Sequence, residues 1–119
     1  MNKEQLAAHI RDYYSIEPDY PFDEDETFVF RHRGNRKWFG IVMSVSYERL
    51  GIAKGGMADV VNLKCGVQLM GIYRRQPGVL RCYHMNKDNW VTVLLDGTAE
   101  EATIKELVAL SYELTKGGR

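Results

Sequence analysis

Three polar side chains lie within four positions of one another in the last third of the chain: His84, Asn86 and Lys87. A lysine supplies a fixed positive charge, an asparagine supplies a directed amide, and a protonated histidine donates hydrogen bonds. A turn with these side chains is suited to binding a phosphate or a carboxylate. The alternative is structural: Asn86 and His84 would hydrogen-bond the turn backbone, and Lys87 would be solvated.

A second group of candidate residues is spread over the predicted strands. Arg31 lies opposite Trp38 in a predicted hairpin, where the guanidinium can stack on the indole. Asn62 and Lys64 alternate with apolar residues of a predicted third strand, so they point away from those residues. The predicted ligand surface combines both groups: Arg31, Trp38, Asn62, Lys64, His84, Asn86 and Lys87. Cations pair with phosphates and an aromatic ring stacks on a base, so this surface suits a polyanion. The alternative is an ordinary solvated face on which the Arg31 stem covers Trp38.

Catalytic chemistry is not indicated. Cys82 and His84 alternate on one face of a predicted strand, but a nucleophile also needs an orienting group, and no third partner is visible. A buried cysteine is the commoner outcome. The sequence has no G-x-S-x-G motif, no Walker-type loop and no G-x-G-x-x-G motif. We therefore predict a protein that is not an enzyme and needs no cofactor.

Metal binding is not predicted either. Cys65 and Cys82 are the two cysteines of the chain, with no C-x-x-C and no zinc-like spacing. In a cytosolic chain both are expected to stay reduced. Residues 17–26 are acidic, but two prolines and irregular spacing favour a solvated loop over a metal site.

The composition is typical of one soluble domain of 119 residues, with 45% hydrophobic and 27% charged residues. Sixteen basic and sixteen acidic residues give zero net charge, which argues against strong nonspecific binding to nucleic acid. The charges are segregated, however: the charged residues within 17–26 are all acidic, whereas those within 27–47 are all basic. No apolar run approaches the roughly 20 residues that span a bilayer, and no signal peptide is recognisable. We expect a cytoplasmic protein that does not bind membranes.

The first half of the chain predicts a helix and a hairpin. A capping box at Asn2 and Gln5 begins a helix that extends from about Lys3 to Tyr14. Strands 27–32 and 36–43 flank a tight turn at Gly34-Asn35. A two-residue turn would pair Phe30 with Phe39 and Phe28 with Ile41. Those four side chains would then share the core face.

The second half predicts three more strands and two helices. Gly-rich residues 44–58 are expected to form a connection or an extended hairpin tip, followed by strand 60–65, helix 67–75 and strands 79–84 and 90–95. Trp90, next to Val91 and Val93, is assigned to the core. A capping box at Thr98 and Glu101 is expected to begin the last helix. The predicted fold class is α+β: a two-layer, five-stranded antiparallel sheet with helices on one face, in the order α-β-β-β-α-β-β-α. A single domain covers residues 1–119.

Four stretches of the sequence resemble the MmcQ/YjbR family. They are Tyr20-Pro21-Phe22, Val61-Asn62-Leu63-Lys64-Cys65, Tyr83-His84-Met85-Asn86-Lys87 followed by Trp90, and Ser111-Tyr112-Glu113-Leu114. The resemblance implies a two-layer α+β fold of the CyaY-like kind and a DNA-binding role of the double-wing type. The sequence departs from the family pattern in its long connection over residues 44–58 and in Gly66-Val67-Gln68 at the start of the middle helix.

These observations lead to three hypotheses about function. The first is a non-enzymatic binding module for DNA or another nucleic acid, which uses the basic and aromatic sheet face and the basic hairpin 31–37. The second is a protein-interaction or chaperone-like adaptor, favoured if Val29, Trp38 and Val42 are exposed. The third is a small-molecule site near His84 and Trp90. We expect a monomer or a weak dimer.

Overall fold

The computed structural model describes residues 1–22, 26–86 and 88–117. The elements, numbered in chain order, are α1 (Lys3–Tyr14), β1 (Phe28–Arg31), β2 (Trp38–Ser46), a 3-10 turn (Glu48–Leu50), β3 (Met57–Lys64), α2 (Val67–Tyr73), β4 (Val79–Arg81), β5 (Trp90–Leu94) and α3 (Glu101–Thr115). The predicted element order and fold class are confirmed. No helix in the described part of the chain is long and apolar enough to cross a membrane.

Helix α1 begins as predicted. The Asn2 side chain accepts a hydrogen bond from the Gln5 backbone, and the Gln5 side chain accepts one from the Asn2 backbone, each at 2.8 Å. Two unsatisfied donors of the first turn are thereby paired. The helix ends at Ser15, whose backbone adopts a left-handed conformation. Leu6 and Ile10 are fully buried.

The five strands form one antiparallel sheet in the order β1-β2-β3-β5-β4. All three helices contribute to a single core cluster with one face of this sheet. Helix residues Ile10, Met70 and Leu107 belong to it or pack against it, as do strand residues Leu63 and Val91. The helices therefore cover one side of the sheet, and the other side is called the outer face below.

The predicted hairpin register was wrong beyond its first pair. Arg31 does pair with Trp38, but Phe30 pairs with Gly40 and Phe28 with Val42, because a bulge follows the first pair. The pairing brings the Phe30 ring close to the backbone of residue 40. Glycine permits this approach, because a Cβ there would lie only 3.2 Å from the ring. The bulge keeps Phe39 in the core and moves Ile41 to the outer face.

The connection between β2 and β3 is an extended hairpin. The two strands stay paired as far as Ser46 and Met57, and the 3-10 turn lies in the tip. On the outer face a second apolar cluster joins this hairpin to β5: Val45, Tyr47, Ala58, Val60 and Leu94. This part of the outer face is thus apolar and buried, not open as predicted.

Helix α3 begins three residues later than predicted. Its N-cap is Glu100, without a side-chain hydrogen bond, so the predicted capping box at Thr98 and Glu101 is wrong. Asp96 instead accepts a hydrogen bond from the Thr98 backbone at 2.9 Å and another from the Tyr47 hydroxyl at 2.7 Å. Burial raises the pKa of Asp96, but hydrogen bonds from Thr98 and Tyr47 together outweigh it and hold the pKa below its usual value.

Candidate ligand-binding face

Two cations and two tryptophans lie at one end of the outer face. Arg31 pairs with Trp38 across β1 and β2, and Lys64 pairs with Trp90 across β3 and β5. Directly paired residues of antiparallel strands project on the same face. Since these four strands are neighbours in the sheet, the side chains form a row, called the Trp–cation row below. All four are partly exposed.

Trp90 was wrongly assigned to the core. Val91 and Val93 belong to the core cluster, so the alternation along β5 directs Trp90 to the outer face. The signal was present in the sequence, because residues that alternate with two buried valines must point the other way. It adds a second partly exposed indole to the predicted ligand surface.

A hydroxyl from α3 holds the two halves of the row together. Ser111 Oγ donates to the Phe39 carbonyl at 2.6 Å and accepts from the Lys64 backbone N–H at 2.9 Å. The fully buried side chain therefore bridges β2 and β3 at the end of the sheet where the row lies. This contact fixes the spacing between Trp38 and Lys64.

Arg31 is largely engaged within the protein. Its guanidinium carbon lies 5.8 Å from the Trp38 ring centroid, and its Nε lies 2.8 Å from the Asp19 carboxylate. Phe22 meets the Trp38 ring edge-on, with 6.2 Å between centroids. Arg31 therefore positions Trp38, and its net charge is partly compensated by Asp19. Lys64, which has no acidic partner among the described residues, is the freer cation of the row.

Asn62 is buried within the protein rather than exposed to a ligand. It is fully buried, although it lies on the outer face as predicted. Its Nδ2 donates to the Tyr83 carbonyl at 2.8 Å, and its Oδ1 accepts from the Thr92 hydroxyl at 2.6 Å. The same hydroxyl oxygen accepts from the Tyr83 N–H at 2.8 Å. The prediction failed because it treated the outer face as open, whereas residues after β4 cross over it.

These crossing residues, 82–86, are called the strap. Strand β4 ends at Arg81 rather than at the predicted His84, and the Tyr83 backbone lies on Asn62 and Thr92. The strap divides the outer face into the Trp–cation row at one end and the second apolar cluster at the other. Cys82 is buried at the beginning of the strap, so the predicted alternation of Cys82 and His84 on a strand is wrong.

The strap places two predicted site residues above the sheet. His84 is exposed, with a backbone φ of 70°, and its ring lies 3.9 Å from the Tyr83 ring centroid. Asn86 is also exposed, but its Oδ1 accepts from the Asp88 N–H at 2.9 Å and its carbonyl accepts from the Asn89 and Trp90 N–H groups. Asn86 thus has the turn-forming role that was the alternative interpretation. Lys87 lies outside the described residues.

The basic hairpin is anchored at its tip, and two of its cations remain free. Arg33 donates to the Ser15 carbonyl, and Asn35 donates to the Thr115 carbonyl at 2.9 Å. Arg36 and Lys37 are exposed, and neither has an acidic partner within the described ranges. They add positive charge beyond the Arg31 end of the row.

His32, at the base of this hairpin, was not among the predicted site or core residues. It is buried, and its Nε2 lies 2.8 Å from the Thr115 hydroxyl oxygen. That hydroxyl donates to the Ser111 carbonyl at 2.7 Å, so His32 is the donor of the shared bond. Burial lowers the pKa of His32 below its ordinary value.

We expect this histidine to make stability depend on pH. The folded protein binds the proton more weakly than the unfolded chain, so the contribution is complete above the unfolded pKa of about 6.5 and is lost as pH falls below it. Urea midpoints of the wild type should decrease from pH 7.5 to pH 5.5, and His32→Gln should decrease less. His9→Gln is the matched variant, because burial also lowers the pKa of His9. Its slope shows how much of the pH dependence comes from that second histidine. Equal slopes for wild type and His32→Gln would contradict the assignment.

Similarity to known proteins identifies the family of this chain. The YjbR family model matches residues 11–114. The chain belongs to the YjbR family. It is 34% identical over 117 residues to the uncharacterised protein YyaQ of Bacillus subtilis. The match covers 98% of this chain and 99% of the relative.

Solved structures support the same assignment. A crystal structure of a Pseudomonas syringae protein has 37% identity and a TM-score of 0.92, and the match covers 97% of this chain and 99% of that one. A Deinococcus radiodurans protein has 25% identity and a TM-score of 0.71, with 99% and 82% covered.

Proposed function

We propose that this YjbR-family protein is a non-catalytic module that binds single-stranded nucleic acid on the Trp–cation row. The observation that carries the proposal is the alternation of Arg31, Trp38, Lys64 and Trp90 across four adjacent strands on the face away from the helices. Bases stack on aromatic rings, and cations between them pair with the phosphates. The spacing of stacking surfaces and charges is set by the sheet.

Single-stranded ligands suit this face better than duplex DNA. Stacking on a tryptophan requires an unpaired base, whereas a duplex presents mainly its phosphates and groove edges. The free cations near the row are few: Lys64, Arg36 and Lys37. With zero net charge on the chain, we expect weak binding, with Kd of roughly 10–100 µM at moderate salt.

The intrinsic fluorescence of the protein tests the proposal directly. The chain has two tryptophans, and both belong to the row, so a bound base should quench most of the signal. Titration with a dT oligonucleotide of about ten nucleotides at 50 mM salt should give saturable quenching. Trp38→Ala should weaken binding about tenfold, since one base stack is worth about 1–3 kcal/mol. Unchanged fluorescence with micromolar protein and saturating oligonucleotide would refute the proposal.

Salt dependence separates charge from stacking. The logarithm of the binding constant should fall linearly with the logarithm of the salt concentration, with a slope of about −0.7 per phosphate contacted on a single strand. Lys64→Gln should make the slope less negative by about that amount. Lys105→Gln is the control, because Lys105 lies on α3 and pairs with Glu101 at 3.0 Å, away from the outer face. A Lys105 variant that changes the slope as much as the Lys64 variant would place the ligand elsewhere.

A protein-binding adaptor is the second candidate, but for a reason different from the predicted one. Val29 and Val42 are buried, so the outer face does not offer the expected apolar patch. Helix α2 instead has no buried residue, and Val67 and Ile72 are 66% and 56% exposed. If α2 binds a partner, Ile72→Asp should abolish capture of that partner from a nuclease-treated lysate, while the dT titration stays unchanged.

A further inference from the structure

We propose that a groove beside His84 binds a phosphoryl group through Arg49, Tyr83 and His84. The groove lies on the other side of the strap from the Trp–cation row, and neither tryptophan is among its described lining residues. The site is therefore additional to the proposed nucleic-acid face and stands independently of it.

The groove follows the unpaired edge of β2 beyond Val42. Its lining includes five consecutive residues of this strand, 42–46, which alternate between the two faces of the sheet, so its volume of about 720 Å³ is shared between the helix side and the outer side. β2 extends four residues past its last partner in β1, from Val42 to Ser46, and this part of the strand lines the groove. Val42 belongs to the core cluster and Val45 to the outer apolar cluster, so Ser44 and Ser46 lie on the helix side, whereas Tyr83 packs on the outer side.

Three side chains of the groove form one connected cluster. Arg49 Nη1 lies 3.4 Å from the Tyr83 hydroxyl, a long hydrogen bond, and the Tyr83 ring contacts the His84 ring at 3.9 Å between centroids. No described carboxylate lies within ion-pair distance of the Arg49 guanidinium. A guanidinium has five donors, and here one makes a weak contact, so the planar fork is available to an oxyanion.

The backbone presents His84 to the groove in a fixed way. A φ of 70° is uncommon for a residue other than glycine, although histidine tolerates it better than most. The Tyr83 peptide next to it is anchored by hydrogen bonds to Asn62 and Thr92 beneath. The backbone at Tyr83 is thus held before a ligand arrives, which lowers the entropic cost of binding at this part of the cluster.

The helix side of the groove carries acidic side chains, which limits what can bind there. Glu26 and Asp59 also line the groove, and Asp59 is paired with Lys3 at 3.9 Å whereas Glu26 has no ion-pair partner among the described residues. An anion is therefore accepted at the Arg49 end only. A compact phosphoryl group fits that restriction, and we expect millimolar affinity for inorganic phosphate alone.

The three histidines of the chain provide an internal control for the test. In a ¹H–¹³C spectrum of the histidine Cε1–H groups, His84 should shift saturably as sodium phosphate replaces sodium chloride at constant ionic strength and pH. His9 on α1 and buried His32 should not shift. Arg49→Gln, an exposed substitution, should raise the apparent Kd at least tenfold, whereas Arg74→Gln at the end of α2 should not change it.

Two oligonucleotide arms identify the source of the phosphoryl group. A dT oligonucleotide with a 5′-phosphate and the same oligonucleotide with a 5′-hydroxyl are added separately. If His84 shifts with the 5′-phosphorylated oligonucleotide and not with the 5′-hydroxyl one, the site binds a strand end. If His84 shifts with inorganic phosphate and with neither oligonucleotide, the site binds a free phosphorylated metabolite. Equal movement of all three histidines, or a His84 shift that survives Arg49→Gln, overturns the proposal. Neither result depends on tryptophan quenching, so failure of this site and failure of the Trp–cation row are distinguishable.

Discussion

Replacing Asn62 with leucine is expected to lower the free energy of unfolding by about 3 kcal/mol. Leucine has nearly the same shape, so the change removes hydrogen bonds without opening a large cavity. The Tyr83 carbonyl would lose its donor, and the Thr92 hydroxyl would lose its acceptor. A buried polar group left unpaired costs about 1–3 kcal/mol, and two such groups are affected here.

The effects of substitutions in this hydrogen-bond network should not be additive. Asn62, Thr92 and the Tyr83 backbone bond to one another, so removing one member already disables part of the rest. Thr92→Val combined with Asn62→Leu should therefore cost clearly less than the sum of the single substitutions, by about 1 kcal/mol or more in urea unfolding. Strict additivity would show that the strap is held by other contacts.

The same substitution should affect the two proposed sites differently. Hydrogen exchange at the strap should accelerate in Asn62→Leu, because the Tyr83 backbone loses one of its two hydrogen bonds to the sheet and keeps only the one to Thr92. Phosphate binding at the His84 groove should weaken, since Tyr83 and His84 would no longer be held in place. Quenching of the tryptophans in the row should change less. Equal loss at both sites would indicate general unfolding rather than release of the strap.

The local patterns in the sequence predicted the elements well. The capping box at Asn2 and Gln5 and the stripe through Leu6 and Ile10 suffice to define α1, because both depend only on neighbours along the chain. The pairing of Arg31 with Trp38 was also predictable, since it is the first pair after the turn. What the sequence could not show was the bulge beyond this pair, because it depends on Gly40 accommodating the Phe30 ring in three dimensions.

The candidate site was predicted less well, and its errors have different causes. The sequence indicates which way Asn62 points but not that the strap lies over it, since that contact joins residues 21 positions apart. Asn62 and Asn86 were chosen for their polar side chains, and both are used within the protein. Trp90 was omitted because a strand tryptophan is usually buried, although its alternation with Val91 and Val93 directed it outward.

Ser111→Ala is the second substitution for which we expect a large effect, about 3 kcal/mol of unfolding free energy. Its hydroxyl fills the gap between β2 and β3, where it bonds the Phe39 carbonyl and the Lys64 N–H. Alanine offers no partner to either group, and both lie beneath α3, where water does not easily replace the hydroxyl. Ser44→Ala makes the same chemical change at an exposed position of β2 and should cost less than about 0.5 kcal/mol.

The functional consequence of Ser111→Ala follows from the same geometry. Trp38 immediately precedes Phe39, so separation of the two strands should alter the distance between Trp38 and Lys64. The dT oligonucleotide should then bind more weakly, even though Ser111 touches no ligand. If the stability falls as expected but the affinity does not, the two halves of the row act separately, and each tryptophan with its neighbouring cation is a binding unit by itself.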